Sequence, residues 1–241
     1  MDIHKPKSWH GVREFLKEYL IIVIGVLTAL GAEQVAENLH WREKVHEAKT
    51  SVHQELTMAT VLADERIARR DCSDAYLADL AAAITASPPA WRPPTSNYCG
   101  LKEAGYVTVG NRPWPTEVWR SIEAEGVVSH FDNRYRASAP LLFHFIDGIQ
   151  TMSRQEDSIA PELEPLAGPL VMTPDSKIHF LTTIAKLRWM NRMLAFFGGQ
   201  VKGGIANLGE TPSAAELKAM QAQVPSLLRA PGVIQNPSTA P

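Results

Sequence analysis

The fold class of this chain follows from one stretch near the N-terminus, YLIIVIGVLTALGA at residues 19–32. It carries no charge, and Thr28 is its only strongly hydrogen-bonding side chain. Crossing about 30 Å of hydrocarbon takes roughly 20 helical residues, so this stretch alone is too short. Its flanks lengthen it, because Phe15 and Leu16 precede Lys17, whose long side chain reaches toward lipid headgroups. The sequence therefore predicts a transmembrane helix at residues 15–39.

Two other interpretations of this stretch remain open. It could be the buried core helix of a soluble protein, but a core helix that is apolar all round is rare in a small domain. It could also be a cleaved signal peptide, since small residues occur at positions 28–32. The helical pattern continues through Glu33 and Gln34 into a charged segment, which favours an uncleaved anchor.

The distribution of basic residues gives the expected orientation. Four precede the apolar stretch and three follow it closely: Lys5, Lys7, Arg13 and Lys17 before it, and Arg42, Lys44 and Lys49 after it. This bias favours a cytoplasmic N-terminus at residues 1–14 and a domain on the other side of the membrane. Cys72 and Cys99 support this orientation, because two cysteines in an exported domain can form a disulfide in an oxidising compartment. Two unlinked, buried cysteines are the alternative.

One face of the predicted transmembrane helix carries only small residues. Their positions step by four, three and four: Gly25, Ala29, Ala32 and Ala36. A stripe of this kind lets a second transmembrane helix approach closely. We therefore expect a membrane partner at this stripe, either another membrane protein or a second copy, although Gly and Ala are frequent in all such helices.

The rest of the chain predicts a mostly α-helical, bundle-like extra-membrane domain at residues 40–223. Apolar residues recur every three or four positions from 45 to 67, which predicts that the transmembrane helix continues to about Arg70. A second helix at residues 71–86 should double back on the first and end at Pro88 and Pro89. Further helices are expected at 116–125, 133–158, 175–197 and 213–222, with one short strand at 106–109. The Pro-rich residues 224–241 predict a disordered tail.

The sequence offers no catalytic, cofactor-binding or metal-binding set. A net charge of −2 and a pI near 6.5 argue against nucleic-acid binding, which needs a basic surplus. A Glu-x-x-His pair, Glu43 and His46, occurs once, whereas a di-iron bundle needs it twice. His53 shares this helix with His46 and His40 and is expected on a solvated or interfacial face. The glycine-rich residues 198–204 lack the order of a phosphate loop and predict a flexible connector.

Aromatic residues leave two interpretations open. The segment at 141–146, with Trp189, Phe196 and Phe197, is most simply the core of the domain, or alternatively a groove for a partner or lipid. A ligand pocket would have to be built among Trp114, Trp119, Phe143, Phe145 and Trp189.

Two motifs carry a resemblance. They are EFLKEYLIIVIGVLTAL at residues 14–30, followed by WRE at 41–43, and WRSIEAEG at 119–126. The chain resembles a group of uncharacterised bacterial single-span inner-membrane proteins that share such an anchor and a Trp-containing charged helix. The resemblance implies location and topology but no chemistry.

These observations predict a non-enzymatic, single-pass protein that binds membrane lipid and acts as an accessory, scaffold or assembly subunit of a membrane protein complex. A membrane-tethered ligand-sensing or substrate-binding domain is the alternative.

Overall fold

The computed structural model describes residues 11–93 and 112–223, of which 86% are helical. This confirms the predicted mostly α fold. The elements follow in the order α1 (Val12–Ala86), β1 (Ala90–Trp91), α2 (Glu117–Ala124), a 3-10 helix (Val127–His130), α3 (Asn133–Ile159), a second 3-10 helix (Ala160–Ala167), β2 (Leu170–Val171), α4 (Pro174–Leu208) and α5 (Ala214–Gln223).

The chain divides into two compact units, residues 1–48 and residues 49–241. The described part of the first unit is the N-terminal portion of α1. The second unit contains the remainder of α1 and all the other elements. Residues 1–10, the predicted strand at 106–109 and the predicted tail at 224–241 lie outside the described residues.

Helix α1 is a single helix of 75 residues, so the predicted reversal after Arg70 is wrong. The reason is local: the sequence contains no Gly or Pro between Ala32 and Ala86. Without a residue that breaks the hydrogen-bond ladder, the helix has no cause to end at Asp71. It ends at Ala86, just before Pro88 and Pro89, where the ladder has to stop.

The core of the second unit forms where α1, α3 and α4 bury their apolar faces. Residues with essentially no exposed surface come from all three helices: Val52, Leu56, Leu77 and Ile84 of α1, Phe143, Ile146 and Ile149 of α3, and Ile184, Leu187, Leu194 and Ile205 of α4. Two-residue strands β1 and β2 pair antiparallel, with Ala90 opposite Val171 and Trp91 opposite Leu170. Trp91 is buried and its indole N–H donates to the carbonyl oxygen of Leu166 at 3.0 Å. No periodic pattern in the sequence marks strands this short.

The glycine-rich segment 198–204 is helical and lies inside α4, so the predicted flexible connector is wrong. A Cβ on Gly198 would come within 3.3 Å of the backbone oxygen of Ala63 on α1. A Cβ on Gly204 would come within 2.8 Å of the side chain of Leu142 on α3. Gly198 therefore permits a close approach of α4 to the backbone of α1, whereas the contact at Gly204 is with the flexible end of the Leu142 side chain.

We predict opposite effects for two neighbouring glycines of α4. Gly198→Leu forces a side chain against Ala63 and should lower the free energy of unfolding by about 1–3 kcal/mol. Gly199→Ala, whose Cβ would meet no atom within 4 Å, should raise it by roughly 0.5–1 kcal/mol through helix propensity. Urea unfolding of the full chain in detergent micelles, followed by circular dichroism, measures both. Equal effects of the two substitutions would contradict the proposed close approach.

Candidate functional site

The N-terminal part of α1 exposes nearly all of its large apolar side chains. Exposed fractions are 67% for Phe15, 70% for Ile21, 63% for Leu27 and 59% for Leu39. In the described residues α1 is the one helix long and apolar enough to cross a membrane, and none of its apolar window is buried. Soluble monomers rarely present a continuous apolar surface of this size to water, so the segment calls for an apolar environment outside the chain.

The small residues predicted to contact a second helix are exposed as well. Gly25, Ala29, Ala32 and Ala36 all lie in this uncovered part of α1, and no atom lies within 4 Å of a Cβ built on Gly25. None of the described residues covers the stripe, and a helix contact there stays a prediction. Thr28, the one polar side chain of the apolar stretch, donates its hydroxyl hydrogen to the carbonyl oxygen of Ile24 at 2.8 Å. This internal bond satisfies the hydroxyl without water.

Cys72 lies on α1 within the second unit and is disulfide-bonded. Cys99, its predicted partner, lies outside the described residues, so the Cys72–Cys99 pair stays a prediction.

A buried carboxylate on α1 positions the start of α2. Glu55 is 5% exposed, and its two carboxylate oxygens accept hydrogen bonds from the backbone N–H groups of Val118 at 2.9 Å and Trp119 at 3.0 Å. Burial raises the pKa of the Glu55 carboxyl, although both backbone donors act in the opposite direction. The first N–H groups of a helix have no partner within the helix, and an anion satisfies them well.

Sequence reasoning missed this cap. Thr116 occupies the capping position of α2, but its side chain makes no capping bond. Its hydroxyl donates to Asp147 on α3 at 3.3 Å instead. No local sequence signal reveals a capping carboxylate that comes from about sixty residues earlier in the chain.

Arg66 and Glu65 of α1 form three largely buried ion pairs, two of which reach other parts of the chain. The guanidinium of Arg66 lies 2.7 Å from the carboxylate of Glu156 on α3, and both side chains are largely buried. Glu65, with 6% of its side chain exposed, lies 3.8 Å from Arg69 and 3.6 Å from Arg112. Breaking a buried pair leaves an uncompensated charge, so such pairs hold elements in register. Each of these carboxylates faces a guanidinium, which compensates its charge.

The five aromatic residues predicted to line a pocket do not surround one site. Trp114, Trp119 and Phe143 are at most 5% exposed, and the rings of Trp119 and Phe143 stack with centroids 4.8 Å apart. Phe145 instead packs edge-on against Phe197 at 5.2 Å. Trp189 is 55% exposed.

The prediction that Trp189 and Phe196 belong to the core is therefore wrong, since both are 55% exposed. They lie on the outer side of α4, whereas Ile184, Leu187 and Leu194 face inward.

His53 bridges two acidic residues and does not lie on an open solvated face. Its Nδ1 is 2.8 Å from Glu210, just after α4, and its Nε2 is 3.2 Å from Glu216 on α5. Burial lowers the pKa of His53, but the hydrogen bonds and negative charges of Glu210 and Glu216 outweigh burial and raise it. Helix α5 has no buried residue, and this ionic contact joins it to α1.

We predict a pH-dependent contribution of His53 to stability. Its folded pKa is raised, so its stabilising effect is complete below the unfolded value of about 6.5 and is lost as the pH rises through the folded pKa. The difference in free energy of unfolding between wild type and His53→Gln should shrink from about pH 6 to about pH 9. A constant difference across this range would contradict the bridge.

The described residues contain no cluster of side chains that could hold a metal ion. Within residues 11–93 and 112–223, no three His, Cys, Asp or Glu side chains come together as a metal ion would require. Glu43 and His46 lie one turn apart on α1, as their spacing predicts.

No protein-family model matches the chain, and comparisons with curated proteins and with solved structures find no match. The function therefore has to be inferred from the geometry of the chain. The resemblance to bacterial single-span proteins stays a prediction.

Proposed function

We propose that this chain is a single-pass, membrane-anchored accessory, scaffold or assembly subunit of a membrane protein complex. The observation that carries the proposal is the uncovered apolar part of α1. The same helix continues into the packed helical domain and contributes to its core. An apolar helix of this length is stabilised by lipid, and a stripe of small residues on it suits a second transmembrane helix.

The polar interior of the domain supports a structural role. Its buried charged groups serve a helix cap at Glu55 and ion pairs at Arg66 and Glu156. The aromatic residues Trp119 and Phe143 stack on each other, which favours a packed core over a ligand cavity. A packed domain of this kind suits a scaffold, which would bind its partners through its outer surface.

We further propose a bacterial inner-membrane location with the N-terminus in the cytoplasm and the domain in the periplasm. The bias of basic residues toward the N-terminal side of the apolar segment supports this orientation. The disulfide at Cys72 supports it independently, because disulfides persist in oxidising compartments.

A membrane-impermeant thiol reagent tests the orientation in cells whose outer membrane is permeable. We expect labelling of wild type only after reduction. Both cysteines would lie outside the cytoplasm, and they would be paired until the reductant breaks the disulfide. Cys72→Ser serves as the matched control, because it should expose the thiol of Cys99 to the reagent without reduction. Labelling that requires rupture of the inner membrane would reverse the proposed orientation.

A pair of glycine substitutions tests the membrane contact. Gly25→Leu blocks the small-residue stripe, whereas Gly31→Leu places the same side chain on another face, where a Cβ likewise meets no atom. After mild solubilisation of native membranes, we expect wild type and Gly31→Leu to migrate in one larger complex on native gels. Gly25→Leu should reduce the recovered complex by about tenfold, because close helix approach is lost.

Two other outcomes of this experiment are decisive. Recovery of the isolated chain alone, for wild type and both variants, would contradict a scaffold function. If Gly25→Leu still migrates in the larger complex, the complex forms through a surface other than the small-residue stripe.

A further inference from the structure

The imidazole ring of His53 lies between two carboxylates where α1 meets the end of α4 and the start of α5. Its Nδ1 is 2.8 Å from Oε2 of Glu210, and its Nε2 is 3.2 Å from Oε1 of Glu216. An ionised carboxylate only accepts hydrogen bonds, and a neutral imidazole has one N–H and one lone pair. Both contacts are therefore hydrogen bonds only when both ring nitrogens carry a proton, that is, in the imidazolium form.

Local motifs fix the two carboxylates on either side of the ring. Glu210 follows Gly209, which ends α4 with a φ of 86°, and the backbone N–H of Glu210 donates to Ile205 at 3.1 Å. Glu216 forms a capping box with Ser213: its Oε2 accepts the backbone N–H of Ser213 at 2.7 Å, and the Ser213 hydroxyl accepts the backbone N–H of Glu216 at 3.3 Å. The hydrogen bonds from Ser213 lower the pKa of the Glu216 carboxyl, which keeps it ionised. The chain thus supplies two fixed acceptors for one cation.

The other charged or titratable groups of this junction have partners of their own. On α1, Lys49 lies one turn before the ring, and its Nζ is 2.9 Å from Asp132 at the start of α3. Arg134 of α3 donates to a backbone carbonyl oxygen in the last turn of α4. Burial and the negative charge of Glu210 raise the pKa of the Tyr135 phenol, which therefore stays protonated through the neutral range. A rise in pH near neutrality therefore acts on this junction through the imidazole.

The contact with Glu216 is the weaker of the two contacts of the ring. The side chain of Glu216 is 50% exposed and that of Glu210 is 17% exposed, and the Glu210 contact is also the shorter. A ring with one proton therefore keeps it on Nδ1, toward Glu210, and presents the lone pair of Nε2 to Glu216. Two like partial charges then face each other where a hydrogen bond stood.

Helix α5 has little else to hold it against the domain. It has no buried residue, and only Leu217 and Met220 are half-buried. Within residues 11–93 and 112–223, the contact of Glu216 with His53 is the one hydrogen bond or ion pair that joins a side chain of α5 to another helix.

We propose that His53, Glu210 and Glu216 form a proton-dependent latch that holds α5 on α1 and releases it when Nε2 of His53 gives its proton to water. We call these three residues the α5 latch. Burial lowers the pKa of His53, but the bonds and charges of Glu210 and Glu216 raise it more, so release occurs above the ordinary value of about 6.5. A detached α5 of ten residues is too short to stay helical in water. The latch thus frees one helix while the core of the domain stays folded.

Hydrogen–deuterium exchange of the full chain in detergent micelles tests the α5 latch. Mass spectrometry follows the backbone amides of α5 and of α4 from about pH 6 to about pH 9, with the rates corrected for the pH dependence of intrinsic exchange. We expect the protection of α5 to fall by roughly tenfold or more as the pH rises, because a hydrogen bond between charged groups is lost. The buried part of α4 should stay strongly protected throughout.

Two variants and one control assign the effect to the latch. Glu216→Gln removes the charge but keeps a residue that can complete the capping box with Ser213. We expect Glu216→Gln and His53→Gln each to leave α5 weakly protected at pH 6 and to abolish its dependence on pH. Glu164→Gln, at an exposed acid of the second 3-10 helix, should keep the wild-type profile. Should His53→Gln fail to fold, the wild-type profile and Glu216→Gln still decide the outcome.

Three results would overturn the proposal. The first is protection of α5 that does not change with pH in the wild type. The second is a wild-type pH profile in either His53→Gln or Glu216→Gln. The third is an equal loss of protection in α4 and α5, which would mean that the whole domain opens and that no single helix is released. The assay needs no membrane partner, so its result is independent of that for Gly25→Leu.

Discussion

Helix α1 is uninterrupted because its sequence contains no Gly or Pro from residue 33 to residue 86. This constraint places two kinds of surface on one element. The N-terminal part exposes large apolar side chains on every side, whereas the part inside the second unit has one buried apolar face, with Val52 and Leu56 fully covered. A helix that is apolar all round suits lipid, and an amphipathic one suits a protein core.

Polar residues of α1 then fix the other elements of the domain one by one. Each contact spans a long sequence separation: Glu55 caps α2, Arg66 pairs with Glu156 on α3, Asp74 pairs with Arg188 on α4, and His53 contacts Glu216 on α5. Directional contacts of this kind select one arrangement among the several that apolar burial alone would permit. Asp74 also contacts Arg192. The hydrogen bond from Arg188 lowers the pKa of the Asp74 carboxyl.

The same pattern shapes the proposed function. The buried carboxylates of Glu65 and Glu156 face guanidinium groups and that of Glu55 accepts backbone N–H groups, whereas the N-terminal part of α1 keeps its large apolar side chains exposed. The proposed membrane anchor and the proposed contact with a second helix both depend on this exposed part of α1.

Local sequence was sufficient wherever local physics decides the structure. The apolar run at residues 19–32 identified the candidate membrane helix, periodicity located the amphipathic helices, and Pro88 with Pro89 marked the end of α1. Gly126 likewise follows α2 in the left-handed conformation, with φ of 74°, as a helix-ending glycine does. None of these features depends on which residues come together from distant parts of the chain.

Tertiary contacts decided the rest. Gly198 and Gly204 are poor helix formers, yet both are helical, and a Cβ built on Gly198 would lie 3.3 Å from Ala63 and one built on Gly204 would lie 2.8 Å from Leu142. Trp189 and Phe143 are both large aromatic residues, and only packing separates the exposed one from the buried one. His53 and Glu55 are ordinary polar positions in the sequence, and they acquire their roles from partners about sixty to one hundred and sixty residues away. Sequence by itself determined most of the helices and the apolar segment of α1, whereas the capping, the ionic contacts and the exposure of Trp189 exist only because folding brings distant residues together.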